Sequence, residues 1–450
     1  MTAERMGMTD RPHMLYVAWG FPPCRGGGVY RALATANRFA ALGWKVTVLT
    51  AERETFYRFT GADKTLEDRV DPSVEVVRVP FDWPVMETDL RRWPKARARN
   101  PRLWSKWRNK QDLIPFPEHG YGPWRSVIED AADRIHAENP VDLTVATANP
   151  HVAFTAAYHL HEKGGVPYVM DYRDAWLLDV FSGNRLHEPN SRAAKWEKKL
   201  VDAAQEVWFV NDPIKEWHVE LYPEQAGKMH VVANGFDPEL VPDTHDRGPV
   251  TDRPLTFGYV GTVSPKVPLQ DFVDGWKIAV EESEELAGAK AKIHGYLGYY
   301  AVPRPDMLAA INSGSEEGVS YEGPVGKAEI AKAYDEFDVQ LLMLGKGKYV
   351  TSGKVFEYLA TGLPVVSVHD PENAASDVLR GHPLWFPVTE VTPEAIAAAL
   401  IEAAHAARTA DEGIRQKARE FGAGYRRDLV MDPRIEALAD AVKKKSEVHA

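Results

Sequence analysis

A chain of 450 residues with 44% hydrophobic and 26% charged residues can build two cores, and needs neither disulfides nor a structural metal to do so. Its single cysteine, Cys24, excludes an intrachain disulfide, and a formal charge of -11 excludes general nucleic-acid binding, which demands a basic surface. The polar stretch before His13 lacks the apolar core of a signal peptide, and no run reaches the roughly 18 apolar residues of a membrane span, so a cytoplasmic protein is expected.

In chain order, His13 to Gly20 reads as a strand, Phe21 to Gly28 as a Pro- and Gly-rich turn, and Val29 to Leu42 as a helix stopped by Gly43. Trp44 to Thr50 is a second strand, which completes a strand-helix-strand unit with a parallel, right-handed crossover. A long irregular region follows. Within it, Arg91 to Lys110 carries nine Lys or Arg residues and no acid, interleaved with Trp93, Trp104 and Trp107. That composition opposes the net charge and points to an anionic or membrane-borne partner, with a solvated loop as the alternative.

The alternation returns with strands Val141 to Thr147, Val166 to Asp171, Glu206 to Val210 and Met229 to Ala233, and with helices from His151 to Lys163 and from near Pro213. Phe236 to Pro254, with Pro238, Pro242, Pro249 and Pro254, has the composition of an exposed linker. A second series then places strands at Leu255 to Gly261, Ala291 to Gly295, Val319 to Gly323, Val339 to Met343, Pro364 to Val368 and Leu384 to Pro387. Leu269 to Glu282, Lys327 to Glu336 and Gly353 to Thr361 are its helices. Beyond Pro393 the chain is helical. The reading is an α/β protein of two Rossmann-like, doubly wound parallel-sheet domains, residues 1–240 and 250–430, with a final helix near 432–450 crossing back onto the first.

Ligands of parallel sheets bind beyond the carboxyl ends of the strands. Gly26, Gly27 and Gly28 stand at one such end before a helix, either as a binding loop or as a tight structural turn. Thr351-Ser-Gly-Lys-Val-Phe-Glu357-Tyr-Leu-Ala-Thr-Gly362-Leu-Pro364 stands at another. There the amides at Ser352 and Gly353 suit a diphosphate, and Glu357, one turn on, suits the two hydroxyls of a ribose, unless it is simply an exposed helix residue. Cys24 has no base nearby in sequence and reads as an inert thiol.

The segment from Thr351 to Val366 resembles the donor-binding signature of retaining glycosyltransferases of family 4. Pro22 to Leu42 is similar to that family's Gly-rich loop and first helix, and Thr147-Ala-Asn-Pro-His151 to its strand end with a histidine. Asp171-Tyr-Arg-Asp174-Ala-Trp176 and Asn234-Gly235-Phe-Asp237 resemble two further segments in the same order. The resemblance implies the two-domain GT-B architecture, its domains facing each other across a cleft, with the nucleotide-sugar donor in the C-terminal domain, acceptor contacts in the N-terminal one, and neither divalent metal nor cofactor. It implies retaining transfer to a small-molecule, glycan or lipid-linked acceptor. The alternatives are a nucleotide-sugar-binding protein with little transfer activity, or coupling onto a nitrogen or sulfur acceptor.

By the same resemblance, Gly261, Thr262, Lys266, Ser352, Gly353, Lys354 and Glu357 bind the donor, with Pro324 and Val325 near its base. Lys266 is carried over as the diphosphate partner and catalytic cation, and His151 as a hydrogen-bond partner of the donor sugar, or else a helix-start residue satisfied by backbone. Gly26, Gly27, Gly28, Arg173 and Asp174 lie on the acceptor side, Arg173 and Asp174 alternatively forming an internal ion pair. Two departures stand out: Tyr349 replaces the family's first glutamate, and Thr262 replaces an arginine that would meet the leaving diphosphate, for which Lys346, Lys348 or Lys354 are substitutes.

Overall fold

Runs that are apolar almost without interruption belong in sheets covered on both faces, which in an alternating series means parallel sheets. The computed structural model, which describes residues 11–241, 248–298, 303–326 and 329–449, shows two such sheets in two compact units. One unit runs to Asp179 and takes up again at Arg185–Ala233 and from Met431, while the other holds Val180–Asn184 and Asn234–Val430.

The first sheet contains β1 (His13–Val17), β2 (Lys45–Ala51), β3 (Glu75–Val79), β4 (Leu143–Ala148), β5 (Tyr168–Tyr172), β6 (Glu206–Phe209) and β7 (Met229–Val231). Their order is β3-β2-β1-β4-β5-β6-β7, all parallel, with Leu15 of β1 level with Thr47 of β2 and Thr144 of β4. The second contains β8 (Thr256–Val260), β9 (Lys290–His294), β10 (Val319–Gly323), β11 (Val339–Met343), β12 (Val365–Val368) and β13 (Trp385–Pro387), in the order β10-β9-β8-β11-β12-β13, again parallel. In each sheet all carboxyl ends therefore share one edge, and the crossing from β1 to β4 or from β8 to β11 is the switch point where ligands bind.

The irregular region proves structured. β3 escaped notice because an edge strand, half-exposed here, mixes charge into its pattern. Trp124–Glu138 is a helix that buries Trp124, Ile128, Ala131, Ala132 and Ile135 at helical spacing. Beyond that region, between β5 and β6, Arg192–Ala203 is a further helix, capped by Ser191. The predicted helix at Lys327 shortens to Ile330–Asp335, Lys327 itself lying outside the described residues. Pro433 falls inside one long helix, Arg427–His449. The linker reading also needs correcting at its start: Phe236 is buried, and Asp237 pairs with Arg427 at 2.6 Å. A bidentate arginine organises what composition alone presents as featureless.

In the second unit Trp276 of Leu269–Glu282 meets Phe257 of β8 edge-on at 5.1 Å and donates its indole N–H to the Glu317 carbonyl at 2.8 Å. In the first, Glu197 is fully buried and accepts from Tyr172 at 3.0 Å and Tyr222 at 2.8 Å, with His218 Nε2 3.6 Å away. Burial pushes this carboxyl up, but His218 and the two hydroxyls outweigh it and hold the group below the usual carboxylate range.

Burial alone lowers His382 to about 4. Its Nδ1 accepts from the Leu384 amide at 3.3 Å, while Nε2 is buried with no hydrogen-bond partner among the described residues. Below its ordinary 6.5 the unfolded chain binds a proton that the folded chain refuses until about 4, so stability is complete above 6.5 and falls as pH drops through that window. By pH 5 the loss is about 2 kcal/mol. His382→Asn, which retains an acceptor for Leu384, is expected to flatten the decline of melting temperature between pH 7 and pH 5. An unchanged slope in the variant contradicts this origin.

Candidate functional site

In the second unit, the turn after β8 is built around Gly261, whose φ of +144° is costly for any other residue. A Cβ there would also lie 1.9 Å from Lys354 Cε and 2.2 Å from Nζ. Gly261 thus leaves room for the Lys354 side chain to cross the end of β8, where Nζ donates to the Tyr259 hydroxyl at 3.0 Å. Tyr259 in turn donates to the Thr262 carbonyl at 2.9 Å, and Tyr358 accepts the Val260 amide at 3.2 Å. Lys354, from another element, thus places an ammonium at the turn that carries Thr262.

Gly353 ends the loop before the helix Lys354–Ala360. Ser352 takes the Lys354 amide on its hydroxyl at 3.4 Å and the Val355 amide on its carbonyl at 3.2 Å, so the Ser352 and Gly353 amides lie ahead of the helix. Gly353 is exposed, and a Cβ on it would meet nothing within 4 Å. Glu357 shares a helix face with Lys354, three residues away. Its Oε2 accepts from Tyr334 at 2.6 Å, and burial raises that phenol so far that it stays a donor at any ordinary pH. Glu357 is half-buried, neither sealed off nor simply solvated.

Lys266 is exposed, its ammonium 3.4 Å from the centre of the Phe181 ring. The loop after β11 lies against it, since a Cβ at Gly345 would approach Lys266 Cβ to 2.8 Å. Asn373 steadies that loop by donating to the Gly347 carbonyl at 2.9 Å. Pro324 and Val325 follow the edge strand β10, two strands from β8 and on the same carboxyl edge.

In the first unit, Gly28 begins the helix Gly28–Ala41, and a Cβ on it would lie 1.2 Å from Arg173 Nη1. The absent side chain serves Arg173, which also donates to the carbonyls of Ala148 at 2.8 Å and Asn149 at 2.7 Å. Gly27 has open space before it, and Gly26 has only Cys24 Sγ at 3.9 Å. Asp174 accepts from Asn149 at 2.9 Å. Arg173 and Asp174 are therefore not partners of each other. The ion pair of this segment joins Arg31 and Asp171 at 2.6 Å, both buried.

His151 is buried, with Nδ1 3.1 Å from Glu118 Oε1, Nε2 3.3 Å from the Asp174 carbonyl, and its ring stacked on Trp176 at 5.2 Å. The same Glu118 accepts the amides of His151 and Val152 at 2.9 and 2.7 Å. Cys24 is buried against Thr60, and burial pushes its thiol up, the opposite of an activated nucleophile.

Sequence reasoning missed Tyr259, Tyr334, Glu118 and Asn373. A tyrosine inside an apolar strand or helix is a usable signal, because its buried hydroxyl must find a partner. Glu118 carries no such signal: it lies 33 residues from His151 in an irregular segment.

Residues 26–235 match the family model of the Glycosyl transferase 4-like domain. A glycosyltransferase from Rickettsia africae ESF-5 superposes with a TM-score of 0.64 at 13% identity, over 96% of this chain and 99% of the other. An α,α-trehalose 6-phosphate synthase from Burkholderia multivorans gives 0.61 at 14%, over 97% and 99%, and a sucrose-phosphate synthase from Thermosynechococcus elongatus 0.60 at 14%, over 97% and 100%. No curated protein matches the chain in sequence. The fold is that of GT-B enzymes, and with the matched domain it makes this chain a glycosyltransferase.

Proposed function

We propose that this glycosyltransferase is a retaining enzyme that moves a sugar from a nucleoside-diphosphate sugar to a small-molecule, glycan or lipid-linked acceptor without a divalent metal. The observation that carries the reading is the meeting of Gly261 and Lys354 at the turn after β8, with Glu357 one turn further along the Lys354 helix and held by Tyr334. The Glu357 carboxylate, which accepts from Tyr334, is assigned to the ribose hydroxyls as a charged acceptor. Lys354, aided by Lys266 and the Ser352 and Gly353 amides, supplies the positive charge that a metal brings elsewhere. Pro324 and Val325 take the base.

The chemistry proposed is front-face displacement. The bond from the anomeric carbon to the diphosphate oxygen breaks as the acceptor oxygen bonds to that carbon on the same face. The acceptor's proton passes to the departing phosphate oxygen, and fixed charge stabilises the developing anion. Acceptor contacts are assigned to Gly26, Gly27, Arg173 and Asp174, with His151 acting through the Asp174 backbone.

Glu357→Ala removes bonds to a ribose that does not change in the reaction, so the expected loss is roughly 1.5 to 3 kcal/mol of nucleotide binding. Calorimetry with a panel of nucleoside diphosphates, alongside release of free nucleoside diphosphate from the corresponding sugars, tests this. Wild-type affinity in the variant means that the donor site lies elsewhere.

A further inference from the structure

Among the described residues, no helix is long and apolar enough to cross a membrane. One nonetheless presents apolar and basic side chains together to solvent. Asn100 caps the helix Pro101–Asp112 by accepting the Leu103 amide at 3.1 Å, and Pro101 occupies the first turn. The inward side is taken up by packing and an ion pair. Arg97 is buried, its guanidinium 3.9 Å from the Trp93 ring and 5.3 Å from that of Trp104, and it donates to the Pro84 and Val85 carbonyls, while Arg108 pairs with Asp112 at 2.8 Å. Two of the tryptophans and two of the basic residues are thereby accounted for as structure.

The outward side is different. Leu103 and Trp107, four residues apart and so on one face, are 64% and 53% exposed. Lys106 and Lys110 run beside them, also four apart, and Lys95, Arg99 and Arg102 are exposed too. None of these five cations has an ion-pair partner among the described residues.

We propose that this face docks on an anionic lipid surface, Leu103 and Trp107 entering the headgroup region while the cations meet lipid phosphates. Charge complementarity selects the occupant: an unpaired basic row in a chain of net charge -11 seeks an anionic plane. The apolar residues between the cations then distinguish lipid from nucleic acid, whose phosphates offer nothing for Leu103. The surface lies within one unit, so the proposal stands independently of the donor site.

The test is flotation of the full chain with vesicles of phosphatidylcholine alone and of phosphatidylcholine mixed with phosphatidylglycerol, at low and physiological salt. Binding is expected only to the anionic vesicles, and to weaken with salt. Each cation near the surface contributes roughly fivefold, so Lys106→Glu with Lys110→Glu is expected to weaken partition by at least about tenfold. Leu103→Ser with Trp107→Ser is expected to weaken it as well, with melting temperature unchanged in both. The proposal is overturned by no flotation at low salt, by wild-type partition of both double variants, or by tighter binding to an oligonucleotide than to vesicles.

Discussion

Lys354→Ala is expected to lower turnover by roughly 10² to 10³, about 3 to 4 kcal/mol of transition-state stabilisation, while nucleoside diphosphate binding weakens far less. The ammonium is held by Tyr259 at the turn where Gly261 makes room for it, the position from which Thr262 is missing a cation. Charge grows on the diphosphate as the glycosidic bond breaks, so a fixed cation there matters most after the ground state. Lys266→Ala is the comparison. Its ammonium rests on Phe181 and is more solvated, so a smaller effect is expected. Steady-state kinetics with calorimetry on both variants decides between them: a silent Lys354→Ala with a damaged Lys266→Ala transfers the leaving-group role to Lys266. Tyr259→Phe provides an intermediate case, since it frees the ammonium without removing it.

Asp171→Ala is expected to destabilise the first unit by about 3 to 5 kcal/mol. Arg31 offers Nε to both carboxylate oxygens, at 3.0 and 3.1 Å, and Nη2 to one of them at 2.6 Å, with Nη1 on the Ala233 carbonyl at 3.2 Å. Only 2% of that arginine is exposed, so deleting its partner strands a charge in a place water cannot reach. Replacing both residues with apolar ones of similar volume, Arg31→Met with Asp171→Leu, is expected to recover most of the loss. Urea unfolding of the single and double variants measures this. A double variant as unstable as Asp171→Ala would show that the pair holds the β5 edge by geometry rather than by neutralising charge.

These two expectations mark where reading the chain residue by residue reaches its limit. Lys354 and Glu357 are only three residues apart, and both were legible from Ser352 to Pro364, because helical spacing puts them on one face. Lys354 and Gly261 are 93 residues apart, and nothing in either segment announces the other. The glycine was legible as a turn residue; that its missing side chain serves a lysine was not. Gly28 repeats the lesson, since its space is filled by Arg173 of another strand end. Asp171, Arg173 and Asp174 were recognisable together as charged residues at the end of β5. Which one is neutralised, and by what, depended on Arg31, 140 residues earlier.

The sequence by itself determined the two parallel sheets, most of their strands, and the place of the segment Thr351 to Pro364 at the helix after β11. Each of these is written in local periodicity and in the punctuation of Gly and Pro, which act over a few residues. It could not determine the partners of the polar groups at the strand ends: Lys354 on Tyr259, Tyr334 on Glu357, Glu118 on His151, Arg31 on Asp171. Only tertiary structure decided those. A buried polar group must be satisfied, but any donor the fold brings near will satisfy it, and chain distance carries no record of which one that is.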